Sequence, residues 1–302
     1  MGIFDRLFGK KSDEANDNKE QQLPKGVKFV DKEEFERIRS GSGGSKIDTL
    51  NTGALNFNMG EKLRTDGKRE QARNSYLHAV ENVSQLATKN NDPQALLILY
   101  SATMRLADMY LEDDDLENAA SFYEQAAKAA WVRADIDPRN YQNHMDSAHK
   151  YQMAAYCRTQ QGKYHEAYEF YRSSQQIIRW AEGTTGKTFV HPDREYRTFD
   201  SYRAEACLKM MQLMHDHPKD IKWPDDALKL YQEGVDSLAK IASTEDRKYD
   251  LVNGIYLGAM CLEDGNKQAN LKVADETCEM FMKDCQNRVR FMKLQKAIRK
   301  EL

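Results

Sequence analysis

The sequence predicts an all-α fold, and three observations carry that prediction. From about Ile47 to Leu302 the apolar residues recur with a near-continuous 3.6-residue period and show no alternating strand pattern. Only six prolines occur in 302 residues, so long stretches are free to stay helical. Small residues return at a fixed stride: Gly60 and Ala72, Ala107 and Ala119, and Ala155 and Ala167 are each twelve apart.

The elements follow in order from that stride. Four residues after each alanine stands a tyrosine, Tyr76, Tyr123 and Tyr171, and three further on a small residue, Ala79, Ala126 and Ser174. Between the two small residues lies a turn: Thr65-Asp66-Gly67-Lys68, Glu112 to Asp115, and Gln160-Gln161-Gly162-Lys163. Two antiparallel helices need a small residue on each so that their axes can approach to about 8–10 Å. The tyrosine, one turn beyond its alanine on the same face, fills the gap against the neighbouring pair. Gly or Asp in the turn lets the first helix stop within two or three residues.

The pattern Asn56-x2-Met59-Gly60-x2-Leu63…Gly67…Ala72-x3-Tyr76-x2-Ala79 resembles the tetratricopeptide helix-turn-helix unit. Thr103-x2-Leu106-Ala107-x2-Tyr110…Ala119-x3-Tyr123-x2-Ala126 and Tyr151-x2-Ala154-Ala155-x2-Arg158…Gly162…Ala167-x3-Tyr171-x2-Ser174 are similar to it as well. A fourth unit keeps Ala227-x3-Tyr231-x2-Gly234 after a first helix near Asp200–His215, and a fifth keeps Leu257-Gly258-x2-Cys261…Gly265. The resemblance covers roughly residues 50–285 and implies a right-handed superhelical solenoid of antiparallel helix pairs, about four to five of them. The sequence also departs from the family. Ala72, Ala119, Ala167 and Ala227 lie 47, 48 and 60 residues apart, against about 34 for the standard repeat, so either helices or connections must be longer. Arg158 stands where an aromatic is expected, and the usual tryptophan and closing proline are missing from the three units.

The domain organisation read from composition has three parts. Residues 1–11 form a short amphipathic segment, 12–46 a flexible linker ending in Ser40-Gly-Ser-Gly-Gly-Ser45, and 47–302 the helical repeat domain. A short helix over Asp31–Arg39 is the one element expected inside the linker. From Lys283 to Leu302 seven basic residues face two acidic ones, with Leu294, Ile298 and Leu302 on one face. That reads as a helix capping the last repeat, with a basic contact surface as the alternative.

Bulk properties exclude several classes. A net charge of −3 gives no basic excess for a nucleic-acid backbone, so no nucleic acid is expected as partner. No apolar run nears the roughly 20 residues that span a bilayer, and Asp5 and Arg6 break the apolar N-terminus, so no secretory signal is read. A cytoplasmic protein is expected. The five cysteines are odd in number and lack a Cys-x-x-Cys pair; Cys278 and Cys285 share a helix face but sit about 10 Å apart along it, too far for a disulfide.

Motifs that could carry chemistry are few. Ala181-Glu-Gly-Thr-Thr-Gly186-Lys187-Thr188 fits a relaxed phosphate loop, but such a loop needs a strand before it and a helix after. Here a helix is read before it and a loop, Phe189 to Asp193, after it, so a nucleotide-dependent switch at Gly186-Lys187-Thr188 is only an alternative. His144 and His149, five apart, diverge by about 140° on a helix and do not make a helical zinc site. The histidines are read as solvated, and the acidic turn at 112–115 as solvated rather than calcium-binding, since it lacks the central glycine and twelfth-position glutamate. No catalytic residue, cofactor or metal is expected, and the chain reads as non-enzymatic.

The resemblance implies a partner protein or peptide held on the concave side lined by first helices. Matching turns puts Phe57, Glu61, Arg64, Met104, Asp108, Gln152 and Tyr156 there, a mix of aromatic, thioether and charged groups suited to an extended or helical peptide. The Lys/Asn carboxylate clamp of some relatives is not evident at these positions. Ile3, Phe4, Leu7 and Phe8, with Arg6, Lys10 and Lys11 alongside, give a second expectation: contact with a membrane surface or a partner's groove.

Overall fold

Long helices account for the strides of 47 and 48 residues, whereas the stride of 60 from Ala167 to Ala227 comes from longer connections on either side of an 18-residue helix. The computed structural model describes residues 46–185, 190–191, 194–221, 227–262 and 264–302. The N-terminal segment with Ile3, Phe4, Leu7 and Phe8, the linker up to Ser45 with its Asp31–Arg39 helix, and Gly186-Lys187-Thr188 lie outside them. Six helices of 20 to 22 residues come first: α1 (Lys46–Thr65), α2 (Arg69–Asn90), α3 (Pro93–Glu112), α4 (Leu116–Ile136), α5 (Tyr141–Gln160) and α6 (Tyr164–Thr185). A two-stranded ribbon, β1 (Val190–His191) and β2 (Arg194–Thr198), precedes α7 (Phe199–Asp216). Then come α8 (Ala227–Ile241), α9 (Glu245–Met260), α10 (Asp264–Met282) and α11 (Arg288–Glu301).

The ribbon corrects the sequence reading, which made Phe189 to Asp193 loop. Val190 pairs with Thr198 and His191 with Arg194, antiparallel and with an irregular register. Strands of two and five residues are too short for a two-residue period to show in the sequence. β2 leads straight into α7, where Thr198 and Ser201 form a reciprocal capping box.

The first three pairs turn in the same way. Gly67, Asp114 and Gly162 all take left-handed backbone, at φ of 74°, 59° and 74°. In each, the next N–H donates to the carbonyl five residues back: Lys68 to Leu63 at 2.8 Å, Asp115 to Tyr110 at 2.9 Å and Lys163 to Arg158 at 2.9 Å. The left-handed residue donates three back, at 3.1, 3.1 and 3.0 Å. This is a Schellman closure repeated at one position of three units. Asp114 takes the glycine's place because a short polar side chain tolerates left-handed backbone, and Asp115 caps α4 by accepting from the Asn118 N–H. The acidic turn is thus a helix stop followed by a helix start.

The chain divides into two compact units, Met1–Ala102 and Thr103–Leu302. In the first, α1 runs antiparallel to α2. A Cβ on Gly53 would meet Val83 at 2.4 Å, and one on Gly60 would meet the Tyr76 ring at 2.5 Å, so the backbone of α1 lies directly on the side chains of α2. Tyr76, Ala79 and Val83 are fully buried there.

In the second unit each helix from α4 to α11 packs on the next, and α7 touches α5 and α9 as well. Alanine lines the α4 face (Ala126, Ala127, Ala130 and Ala134), close enough to α5 for the buried Ser147 hydroxyl to donate to the Ala127 carbonyl at 2.8 Å. One apolar cluster joins Ala155, Tyr171, Cys207, Met210, Tyr231 and Leu257, drawn from five successive helices. A second joins Leu238, Val252, Leu271, Cys278, Phe291 and Ile298 and seats α11 on the last pair. Phe291, not Leu302, completes the inner face of α11. Leu302 follows the final helical turn and is exposed.

Arg158 replaces the expected aromatic by a different device. Its side chain is buried to within 9 % and its guanidinium lies 2.7 Å from Glu117 and 3.0 Å from Glu166. Lys163 reaches Glu117 at 2.6 Å. The start of α4, the end of α5 and the start of α6 are clasped by charge where stacking would otherwise do so.

Candidate partner-binding surface

Each residue assigned to the groove belongs to one of the two units. In the first, α1 presents Phe57, Glu61 and Arg64 at one-turn intervals. Phe57 is half-buried, its ring 5.8 Å from that of Tyr76. The Tyr76 hydroxyl donates to Glu61 at 2.5 Å, and the exposed Arg64 guanidinium lies 3.3 Å from the same carboxylate. Burial first, and then Glu61, push the Tyr76 hydroxyl well above the usual phenol range, so it stays a donor.

In the second unit Asp108 does for Tyr123 what Glu61 does for Tyr76. The Tyr123 hydroxyl donates to Asp108 at 2.6 Å, and burial followed by that carboxylate raises it strongly. Both links join residues fifteen apart, because both acids directly follow the small residue of a first helix: Gly60-Glu61 and Ala107-Asp108. In the third helix pair Tyr156 holds that position. With no carboxylate role it points outward and is 46 % exposed. Met104 is half-buried on α3.

Gln152 is not on an open face. Its side chain is buried, and its amide donates at 3.0 Å both to the Ser174 hydroxyl on α6 and to the Tyr202 carbonyl on α7. The turn-matching that assigned it to the groove ignores that α7 crosses this part of α5. What remains for a ligand is Arg64 and the edge of Phe57 in the first unit, and Met104 and Tyr156 in the second.

All five cysteines are free thiols. Burial pushes Cys157 and Cys278 up to about 11 and Cys207 and Cys261 up to about 12, so these thiols stay protonated at neutral pH. Among the described residues no three His, Cys, Asp or Glu side chains gather within reach of one metal ion, and no helix is long and apolar enough to cross a membrane. Helix α6 precedes Gly186-Lys187-Thr188 and strand β1 follows it, the reverse of the order a phosphate loop requires.

One histidine departs from the solvated reading. His144 is fully buried, its ring 4.8 Å from Trp180 and 6.0 Å from Trp131, with the two indoles 5.3 Å apart. Neither ring nitrogen makes a well-formed hydrogen bond among the described residues. Burial lowers its basicity, opposed by the Pro138 carbonyl and the Asp135 and Asp137 carboxylates. The signal for this box was in the sequence only as three aromatic residues on three helices, with no spacing rule to join them.

No protein-family model matches the chain, and no curated protein matches it.

Proposed function

We propose that the protein is a non-enzymatic scaffold of the tetratricopeptide kind, a right-handed solenoid that holds a segment of a partner protein along its first helices. The observation that carries this reading is the three-fold repetition of one turn geometry and one small-residue–tyrosine register, with Arg64, the edge of Phe57, Met104 and Tyr156 left open on the first helices. Tyr156, 46 % exposed, is a rigid amphipathic anchor of the type that dominates binding energy at interfaces. Affinity capture with mass spectrometry, run on wild type, Phe57→Glu, Tyr156→Glu and a control Leu228→Glu on α8, tests it. Partners retained by the control and lost from the first two variants support this surface; partners retained by all three place binding elsewhere.

A second reading rests on the one-turn spacing of Ile3, Phe4, Leu7 and Phe8 beside Arg6, Lys10 and Lys11. It makes the protein a peripheral membrane adaptor, compatible with the first role. Liposome co-sedimentation of the full chain and of one lacking residues 1–11 decides it; equal partitioning of the two removes it.

A further inference from the structure

The outward face of α11 differs from every face the groove uses. At 100° per residue, Phe291, Leu294 and Ile298 fall on one side and are buried against the last pair. Val289, Met292, Lys293, Lys296 and Lys300 fall within about 100° on the opposite side. Val289 is 62 % and Met292 59 % exposed, and the three lysines are exposed too. Of the other long cations of the helix, Arg288 reaches only the Lys283 carbonyl, at 3.4 Å, among the described residues, and two are spent on carboxylates. Arg290 stacks 3.6 Å over Tyr249 and pairs with Asp246 at 2.8 Å, and Arg299 pairs with Asp275 at 2.8 Å and with Glu279. Lys293, Lys296 and Lys300 have no carboxylate partner among the described residues. A chain of net charge −3 thus holds three unspent ammonium groups in one row, next to two exposed apolar side chains.

The row has a shape as well as a charge. From Val289 to Lys300 it is about 17 Å long and one helix wide. Asp246 stands along one flank, and Asp275 with Glu279 along the other. A flat sheet of anionic headgroups would be pressed onto those acids. A single rod would not touch them.

We propose that this face docks an acidic amphipathic helix from another protein, its carboxylates spaced three to four residues apart over Lys293, Lys296 and Lys300, and its apolar end over Val289 and Met292. Such a helix lies where a further element of the helical series would pack. The proposal is independent of the groove on the first helices and stands or falls without it.

The test uses the full chain and a capped, fluorescent helical peptide of about 18 residues, carrying three glutamates at that spacing and two leucines one turn away. Fluorescence anisotropy at low salt reads binding. Reversing the three charges (K293E, K296E and K300E together) weakens it by about tenfold or more, the sum of three exposed pairs. The milder K293Q/K296Q/K300Q and the apolar V289S/M292S variants each weaken it by a smaller factor, and circular dichroism confirms that all three keep their helix content. A peptide of the same composition in scrambled order binds more weakly. Equal binding of the scrambled peptide, or indifference to charge reversal, overturns the proposal. So does lysine-dependent binding to vesicles of about 30 % phosphatidylserine without binding to the peptide, which would make lipid the occupant.

Discussion

Replacing Gly60 by alanine tests whether the helices approach as closely as the small-residue stride requires. In an open helix the change stabilises by about 1 kcal/mol, because alanine orders at lower entropic cost. At Gly60 the new methyl would lie 2.5 and 2.6 Å from two ring carbons of Tyr76 and 3.0 Å from a third. Ordinary carbon contacts are about 3.5–4.0 Å, so the ring must retreat by roughly 1 Å. It has little room, being fully buried with its hydroxyl held by Glu61 at 2.5 Å. Overpacking of this kind costs about 1–3 kcal/mol, here towards the upper end, and the disturbed hydrogen bond adds about 1 kcal/mol. Net destabilisation of about 3 kcal/mol is expected, read as a lower urea midpoint by circular dichroism. Two controls bracket it. In a Tyr76→Leu background the same change should be near neutral. Gly183→Ala, on α6 where nothing lies within 4 Å, should stabilise by less than about 1 kcal/mol. If Gly60→Ala stabilises as Gly183→Ala does, the backbone of α1 does not lie on the Tyr76 ring of α2 and the packing argument fails.

Other outcomes follow from single contacts. Asp92 caps α3 by accepting from the Gln94 and Ala95 N–H groups at 3.0 Å each and pairs with Lys46 at 2.5 Å, so Asp92→Ala should cost about 1 kcal/mol in urea unfolding. Tyr123→Phe removes the bond to Asp108 and should cost about 1 kcal/mol, with the helical signal unchanged. His144 is held below its ordinary value by burial, so the unfolded chain takes up a proton near pH 6.5 that the folded chain refuses. Stability should therefore be flat above about pH 6.5 and fall as pH drops below it, and His144→Phe should flatten that limb of the unfolding curve. Arg158 and Lys163 hold the Glu117 carboxyl down at about 2, so its contribution is complete above about pH 4.5 and is lost as pH falls toward 2. Arg158→Leu should shrink the acid-induced loss across that window in a pH titration of the melting temperature.

Much of the fold was legible because helix packing leaves short-range marks. The small residues, the tyrosines and the turns at Gly67, Asp114 and Gly162 lie within one helix pair, where spacing along the chain determines spacing in space. The stride of 47 and 48 residues left helix length and loop length interchangeable, and only the coordinates decide for helices. Features that depend on the next pair were not legible. Gln152 looked like a surface residue because its partners, Ser174 and Tyr202, lie 22 and 50 residues away. Arg158 looked like a defect because Glu117 lies 41 residues back. Glu61 and Asp108 were assigned to a ligand when much of their bonding capacity goes to their own tyrosines. The lysine row on α11 was visible as a basic helix, but which cations are spent internally depends on carboxylates from α9 and α10.

The proposed solenoid, in which successive helix pairs would stack in a row rather than wrap around one closed centre, is tested most directly by the unfolding of a chain ending at Thr185. It keeps α1 to α6, three complete pairs, and loses everything after them. In a linear stack each pair leans only on its neighbours, so this chain should keep its helical signal per residue and still unfold cooperatively in urea, at a lower midpoint. Loss of the helical signal, or a gradual featureless transition, would show that the first six helices do not stand without the last five and would contradict the stacked arrangement.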